Sequence, residues 1–181
     1  MTKNVSHIVF GGGCFWCIES CFNMLRGVES AVSGYAGGNK ENPTYEEVCT
    51  GKTGHAEVVE LIYIPSIISY EQLMEVFFFL HDPTQLNRQG NDVGSQYRSV
   101  VFYSDENEKI KAYKALEESK KTNRWKGEYV TEIAPLKRFY PAEKYHQGYY
   151  NRNSVQPYCS GVVEPKIRRF EAHYGAKGWL K

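Results

Sequence analysis

The sequence has no surplus of charge of either sign: 22 Lys and Arg stand against 21 Asp and Glu in 181 residues. A chain so balanced offers no basic face, so neither nucleic acid nor a membrane surface is expected as its main partner. It contains no apolar run long enough to span a bilayer, and the longest apolar cluster, residues 76–80, reads as core. The first ten residues, MTKNVSHIVF, lack the apolar stretch of an export signal, from which a cytoplasmic protein is expected. There is no second C-x-x-C to match Cys14 and Cys17, and Cys49 and Cys159 are isolated. A zinc-stabilised binding module, the rival reading from outside enzymology, would therefore have to recruit histidines; no metal or organic cofactor is expected. No repeat, low-complexity segment or dividing linker interrupts the chain. Residues 1–181 read as one catalytic domain, with a core over about 5–150 and a tail over 151–181, and as a monomer.

What is present is thiol chemistry. Five cysteines without an export signal point to reduced thiols and redox work, not to a disulfide framework. The stretch over residues 7–21, HIVFGGGCFWCIESC, reads as a strand, a glycine hinge and a helix beginning at a cysteine. The hinge, Gly11 to Gly13, is read as serving close approach, with no packing purpose of its own. The free N–H groups and positive dipole end of the helix would stabilise an anion, so Cys14 is expected to have a lowered pKa and to be nucleophilic. Cys21 lies in the helix's apolar stripe and reads as inert core. Phe15 and Trp16 set two large aromatics beside the nucleophile, an apolar wall able to hold a methyl or thioether group.

The expected elements are strands over 5–10, 28–35, 55–64, 97–103 and 129–133, with helices over 15–26, 42–48, 70–80, 105–121 and 140–150. Asn42 reads as the cap of the second helix with Pro43 at its first position, and Ser69 as the cap of the third. Residues 81–94 form a long polar loop, of the kind more often functional than idle. From residue 151 the chain reads as irregular, with residues 168–181 a short terminal helix or a tail. The order β-α-β, then β-α-β, gives an α+β two-layer sandwich of ferredoxin-like type, a mixed sheet with helices on one face and an irregular C-terminal tail.

Reactive thiolates perform acyl transfer, disulfide exchange or attack on an oxidised sulfur. Acyl transfer would need a base, for which His55 or His81 is available. Disulfide exchange, as in a thioredoxin-like oxidoreductase, is the rival enzyme reading; the bulky Phe15-Trp16 pair argues against it.

Gly13-Cys14-Phe15-Trp16-Cys17 resembles the signature of the peptide-methionine (S)-S-oxide reductases, the A-type methionine sulfoxide reductases. Ser33–Gly38, Pro43–Gly51 with Thr53–Glu57, His81–Thr84, Asn87–Asp92, Gly94–Ser99 and the 139–147 block resemble further motifs of that family, covering about residues 7–160. The resemblance implies reduction of methionine (S)-sulfoxide, free or in proteins, as repair of oxidative damage, with thioredoxin as reductant. It makes Cys14 the nucleophile and Glu57 the general acid, whose place in an apolar strand would raise its pKa and keep it protonated. Tyr45 and Tyr97 would hydrogen-bond the sulfoxide oxygen, Asp92 would position substrate and a water, and Phe15 and Trp16 would hold the ε-methyl group. The resulting sulfenic acid would condense with a second thiol. Cys159, in the tail, and Cys17, one helical turn from Cys14, are the resolving candidates. Cys21 is about 10 Å along the axis from Cys14 and could act only as a relay through Cys17. Cys49 reads as a space filler.

Overall fold

Ile8, Val9 and Phe10 form the buried part of strand β1 (Ser6–Gly11) in the computed structural model, which describes residues 2–181. Helix α1 (Phe15–Asn23) follows, then β2 (Val28–Ala36), the short α2 (Tyr45–Cys49), β3 (Ala56–Tyr63) and α3 (Tyr70–Leu80). A two-residue hairpin, β4 (Arg88–Gln89) and β5 (Asp92–Val93), interrupts the expected loop. Then come β6 (Val100–Tyr103), α4 (Glu106–Lys121), β7 (Glu132–Pro135), β8 (Phe139–Pro141), α5 (Tyr149–Asn153) and α6 (Glu164–Ala176).

The main sheet has the order β7-β6-β1-β3-β2-β8, antiparallel throughout except for the parallel β6–β7 pair. Its four central strands interlock two β-α-β units, each split by a strand of the other. Central β3 carries the pattern that matters for the site. Val59, Leu61 and Tyr63 face the large core under the helices, while Ala56 and Val58 face a small cluster on the other side. Because side chains alternate, Glu57 belongs to the helix-covered face, opposite Tyr35 of β2. Phe10 stacks on Phe77 (centroids 4.5 Å apart, planes 9°), which fixes α3 against β1.

Several expectations are corrected. Helix α1 stops at Asn23, not near 26, and the strand expected from 97 begins at Val100, after a 3-10 turn over Ser95–Tyr97. The strand expected over 129–133 lies at Glu132–Pro135. Thr44, not Asn42, caps α2: its side chain accepts from Glu47 N–H, and the Glu47 carboxylate accepts from Thr44 N–H. Asn42 instead takes a left-handed turn at φ +46°. The helix expected over 140–150 is edge strand β8, a 3-10 turn (Lys144–His146) and α5; Pro141, which has no N–H to give, ends the edge strand instead of starting a helix.

The C-terminal tail is not irregular. A single π-helical turn (Cys159–Val163) runs straight into α6. Pro165 is the second residue of α6, directly after the π turn. Val163, Ile167, Phe170 and Tyr174 then recur at helical spacing, all buried in the main core. Val163, Ile167 and Phe170 each contribute about 1.5–3 kcal/mol, enough to hold the helix firmly against α1 and α3.

Candidate active site

Cys14 is the N-cap of α1, at the point where the chain leaves β1 through the glycines. Those glycines do have a packing role. A Cβ at Gly11 would run into the backbone oxygen of Glu57, and one at Gly12 would come within 2.6 Å of the His81 ring. Gly13 takes φ +86°, and its N–H donates to Tyr97 O (3.1 Å). The run therefore lets the start of α1 settle directly on β3 and on the segment carrying Tyr97.

Glu57 lies beneath that start, 1 % exposed. Its Oε1 accepts the Phe15 N–H (3.2 Å), one of the free donors of the helix end, while its Oε2 has no partner. Burial pushes the Glu57 carboxyl up to about 8, so it is protonated at neutral pH. Its second oxygen is thus a buried polar atom that no protein group satisfies.

The half-buried Cys14 departs from expectation. The Trp16 N–H at the helix end does favour its thiolate, but burial and the Glu57 carboxylate outweigh this and raise the thiol well above its usual range. Thiolate and carboxylate are too close to be ionised together, so the resting pair at neutral pH is a thiol beside a carboxylic acid.

Tyr45 comes from α2 and Tyr97 from the turn before β6. Both are half-buried and both are electrostatic neighbours of Glu57, so burial and that charge hold their hydroxyls protonated, as donors. Tyr45 is anchored by its N–H to Glu143 Oε2 (3.0 Å), and Glu143 Oε1 accepts from the Tyr35 hydroxyl (2.9 Å). Asp92 comes from the β4–β5 hairpin. Glu57 is thus the shared electrostatic neighbour of Cys14, Tyr45 and Tyr97, and Asp92 that of Cys14 and Tyr97. Phe15 is buried against Tyr35, Tyr45 and His146. Trp16 is half-buried, stacked on Tyr149 at 3.8 Å and held by its indole N–H to Nδ1 of His146 (3.0 Å).

Other residues fall elsewhere. His55 is tied to Gly38 N–H and Lys40 O, and His81 to Phe77 O and Ser99 Oγ; neither is a base for Cys14. Burial lowers His81 to about 4 and keeps it neutral. Cys17 is buried and hydrogen-bonded to Cys21, a contact that with Lys166 and Arg169 lowers its pKa. Cys49 is not a filler: it is exposed, and it hydrogen-bonds the Tyr45 hydroxyl. Cys159 is 0 % exposed.

Sequence reasoning passed over Tyr158. Its hydroxyl donates to Asp92 Oδ2 (2.5 Å) and meets the Cys14 sulfur, and its ring stands edge-on to Trp16 (5.7 Å, 79°). The only signal for it was adjacency to Cys159 in QPYC. His146 was also given no role, although it sets the indole of Trp16. Among the described residues no helix is long and apolar enough to cross a membrane.

Residues 6–178 match the family model described as peptide methionine sulfoxide reductase. A relative from Nautilia profundicola, peptide methionine sulfoxide reductase MsrA, is 57 % identical over 90 % of this chain and 92 % of its own length. The solved methionine sulfoxide reductase A of Corynebacterium diphtheriae superposes with a TM-score of 0.79 at 37 % identity, covering 86 % of this chain and 78 % of that one. Mxr1 of Saccharomyces cerevisiae gives 0.79 in its reduced form, at 33 % identity over 88 % of this chain and 91 % of that one. The same yeast protein in complex with Trx2 gives 0.55, at 25 % identity over 82 % and 89 %. With a match running over nearly its whole length, the chain belongs to the peptide methionine sulfoxide reductase family, oxidoreductases that return oxidised methionine to methionine.

Proposed function

We propose that the chain reduces the S epimer of methionine sulfoxide, free or in proteins, through a sulfenic acid on Cys14 and an intramolecular disulfide. The observation that carries this is the pair at the start of α1: a buried, neutral Glu57 with one free oxygen, beside the Cys14 thiol. A sulfoxide oxygen leaves poorly unless it is protonated. As the Cys14 sulfur attacks the sulfoxide sulfur, Glu57 gives its proton to the oxygen, and the thiol proton restores the carboxyl. The balance is Cys14–SH + R–S(O)–CH3 → Cys14–SOH + R–S–CH3, with sulfur oxidised on the enzyme and reduced in the substrate. Tyr45 and Tyr97 donate to the oxygen as charge grows on it. Asp92 orients substrate, and Phe15 and Trp16 border the place for the ε-methyl group. A fixed wall and a fixed donor set present one hand of the chiral sulfur to Cys14, which accounts for the choice of epimer.

Cys159 is the preferred resolving thiol and Cys17 the second. The Cys17 thiol is engaged by Cys21, whereas the residue next to Cys159 already touches the Cys14 sulfur. A dithiol protein then reduces the disulfide, and the yeast relative's complex with Trx2 supports thioredoxin in that part. Cys14→Ser is expected to abolish reduction of methyl sulfoxides; substantial residual turnover would refute the nucleophile. Peptide mapping after one turnover without reductant is expected to join Cys14 to Cys159, and a Cys14–Cys17 bond would reverse the order of the two candidates.

A further inference from the structure

We propose that Tyr158 is a positioning residue that couples entry of the sulfoxide to release of Cys159. The inference rests on the reading of Cys14 as nucleophile and Cys159 as resolving thiol. Tyr158 has one hydroxyl proton, and it is given to Asp92 Oδ2. The same hydroxyl also stands against the Cys14 sulfur, so Tyr158 bridges Cys14 and Asp92. The hydroxyl thus occupies the ground between nucleophile and Asp92 where a sulfoxide must come, and the ring stands against Trp16, where its methyl group must go. Substrate cannot reach Cys14 in that orientation while Tyr158 is seated.

The same contact keeps the resolving thiol away. A disulfide needs Cα atoms about 4.4–6.8 Å apart. Tyr158 meets the Cys14 sulfur with the far end of its ring, so its backbone stands a ring's length away, and Cys159 follows it directly in the chain. Cys159 is itself 0 % exposed. Attack on the substrate and closure of the disulfide therefore require one and the same movement, withdrawal of Tyr158. There is room for it: Tyr158, Asp92, Gly161 and Val162 line one cavity of about 830 Å³. The chain can give on one side, since residues 154–157 just before Tyr158 are exposed, whereas α6 beyond it is anchored by Ile167, Phe170 and Tyr174. Once the sulfoxide has displaced Tyr158, the sulfenic acid forms with its partner already freed. Cys14–SOH + Cys159–SH → Cys14–S–S–Cys159 + H2O then needs no outside oxidant.

Alkylation of Cys159 by iodoacetamide, read by peptide mass spectrometry on the full reduced chain, tests this. Methionine sulfone, which has no sulfoxide to reduce, serves as the occupant, at a concentration that inhibits methionine sulfoxide reduction. In the wild type the sulfone is expected to speed Cys159 labelling about tenfold. Tyr158→Phe, which keeps the ring and its packing, is expected to label at the fast rate without sulfone and to show no further response to it. Labelling in the wild type that ignores the sulfone would overturn the coupling, as would a variant that still responds as the wild type does. Failure of the enzymatic reading is seen separately, as no methionine formed from methionine sulfoxide by the wild type.

Discussion

Glu57 reaches Cys14 from a strand paired on both sides, whereas Tyr158 reaches it from the start of a helical turn that follows four exposed residues, 154–157. The floor of the site is held by the sheet, by α1 seated on glycines, and by a core continuous with Phe10 and Phe77. The cover is held by the Tyr149–Trp16 stack and the Tyr158–Asp92 hydrogen bond. A stack contributes about 0.5–1.5 kcal/mol beyond its buried area, and a hydrogen bond to a charged group about 1.5–3 kcal/mol. The cover is thus within reach of the binding energy of a small ligand, and the floor is not. Proton delivery needs a fixed donor; exchange of substrate and thiol partners needs a surface that gives way.

That contrast can be broken at the floor first. Glu57→Gln keeps the size and the acceptor for Phe15 N–H but removes the acid, and should slow the first turnover about 10²–10⁴-fold. An unchanged rate would move the proton source elsewhere. Gly11→Ala presses a methyl group into the Glu57 backbone. Overpacking of this kind costs about 1–3 kcal/mol, and each kcal/mol lowers Tm by about 2–4 °C in a chain of this length. Calorimetry that finds the variant as stable as the wild type would show the floor to be looser than described. Tyr149→Ala strips one face of Trp16 and should change KM for methionine sulfoxide by less than about tenfold, with Tm nearly unmoved. A large loss of Tm would mean that the cover is part of the core.

The two regions also differ in how far the sequence disclosed them. Strand β1, the glycines, helix α1 and strand β3 follow from periodicity and punctuation alone, because a run of apolar residues bounded by turn formers marks an element whatever it later packs against. The raised pKa of Glu57 was legible from its place in an apolar strand. That of Cys14 was not: the helix end was visible in the sequence, but the carboxyl beneath it comes from a strand more than forty residues away. The tail was misjudged for a related reason. Pro165 reads as a breaker when its position in a helix is unknown, and Val163, Ile167, Phe170 and Tyr174 show as a stripe only once the helix start is fixed. Tyr158 carries no local pattern, and its partners Cys14 and Asp92 are 144 and 66 residues away.

The central claim is that a neutral carboxyl at 57 hands its proton to the sulfoxide as the thiol attacks. A carboxyl held at about 8 is competent below that pH and loses its proton above it. The decisive measurement is the rate of methionine formation in a single turnover, followed from pH 6 to 10 in the wild type and in Glu57→Gln. The account predicts a rate that falls through about pH 8 in the wild type and a slow profile without that fall in the variant. The same descending limb in both proteins would contradict it.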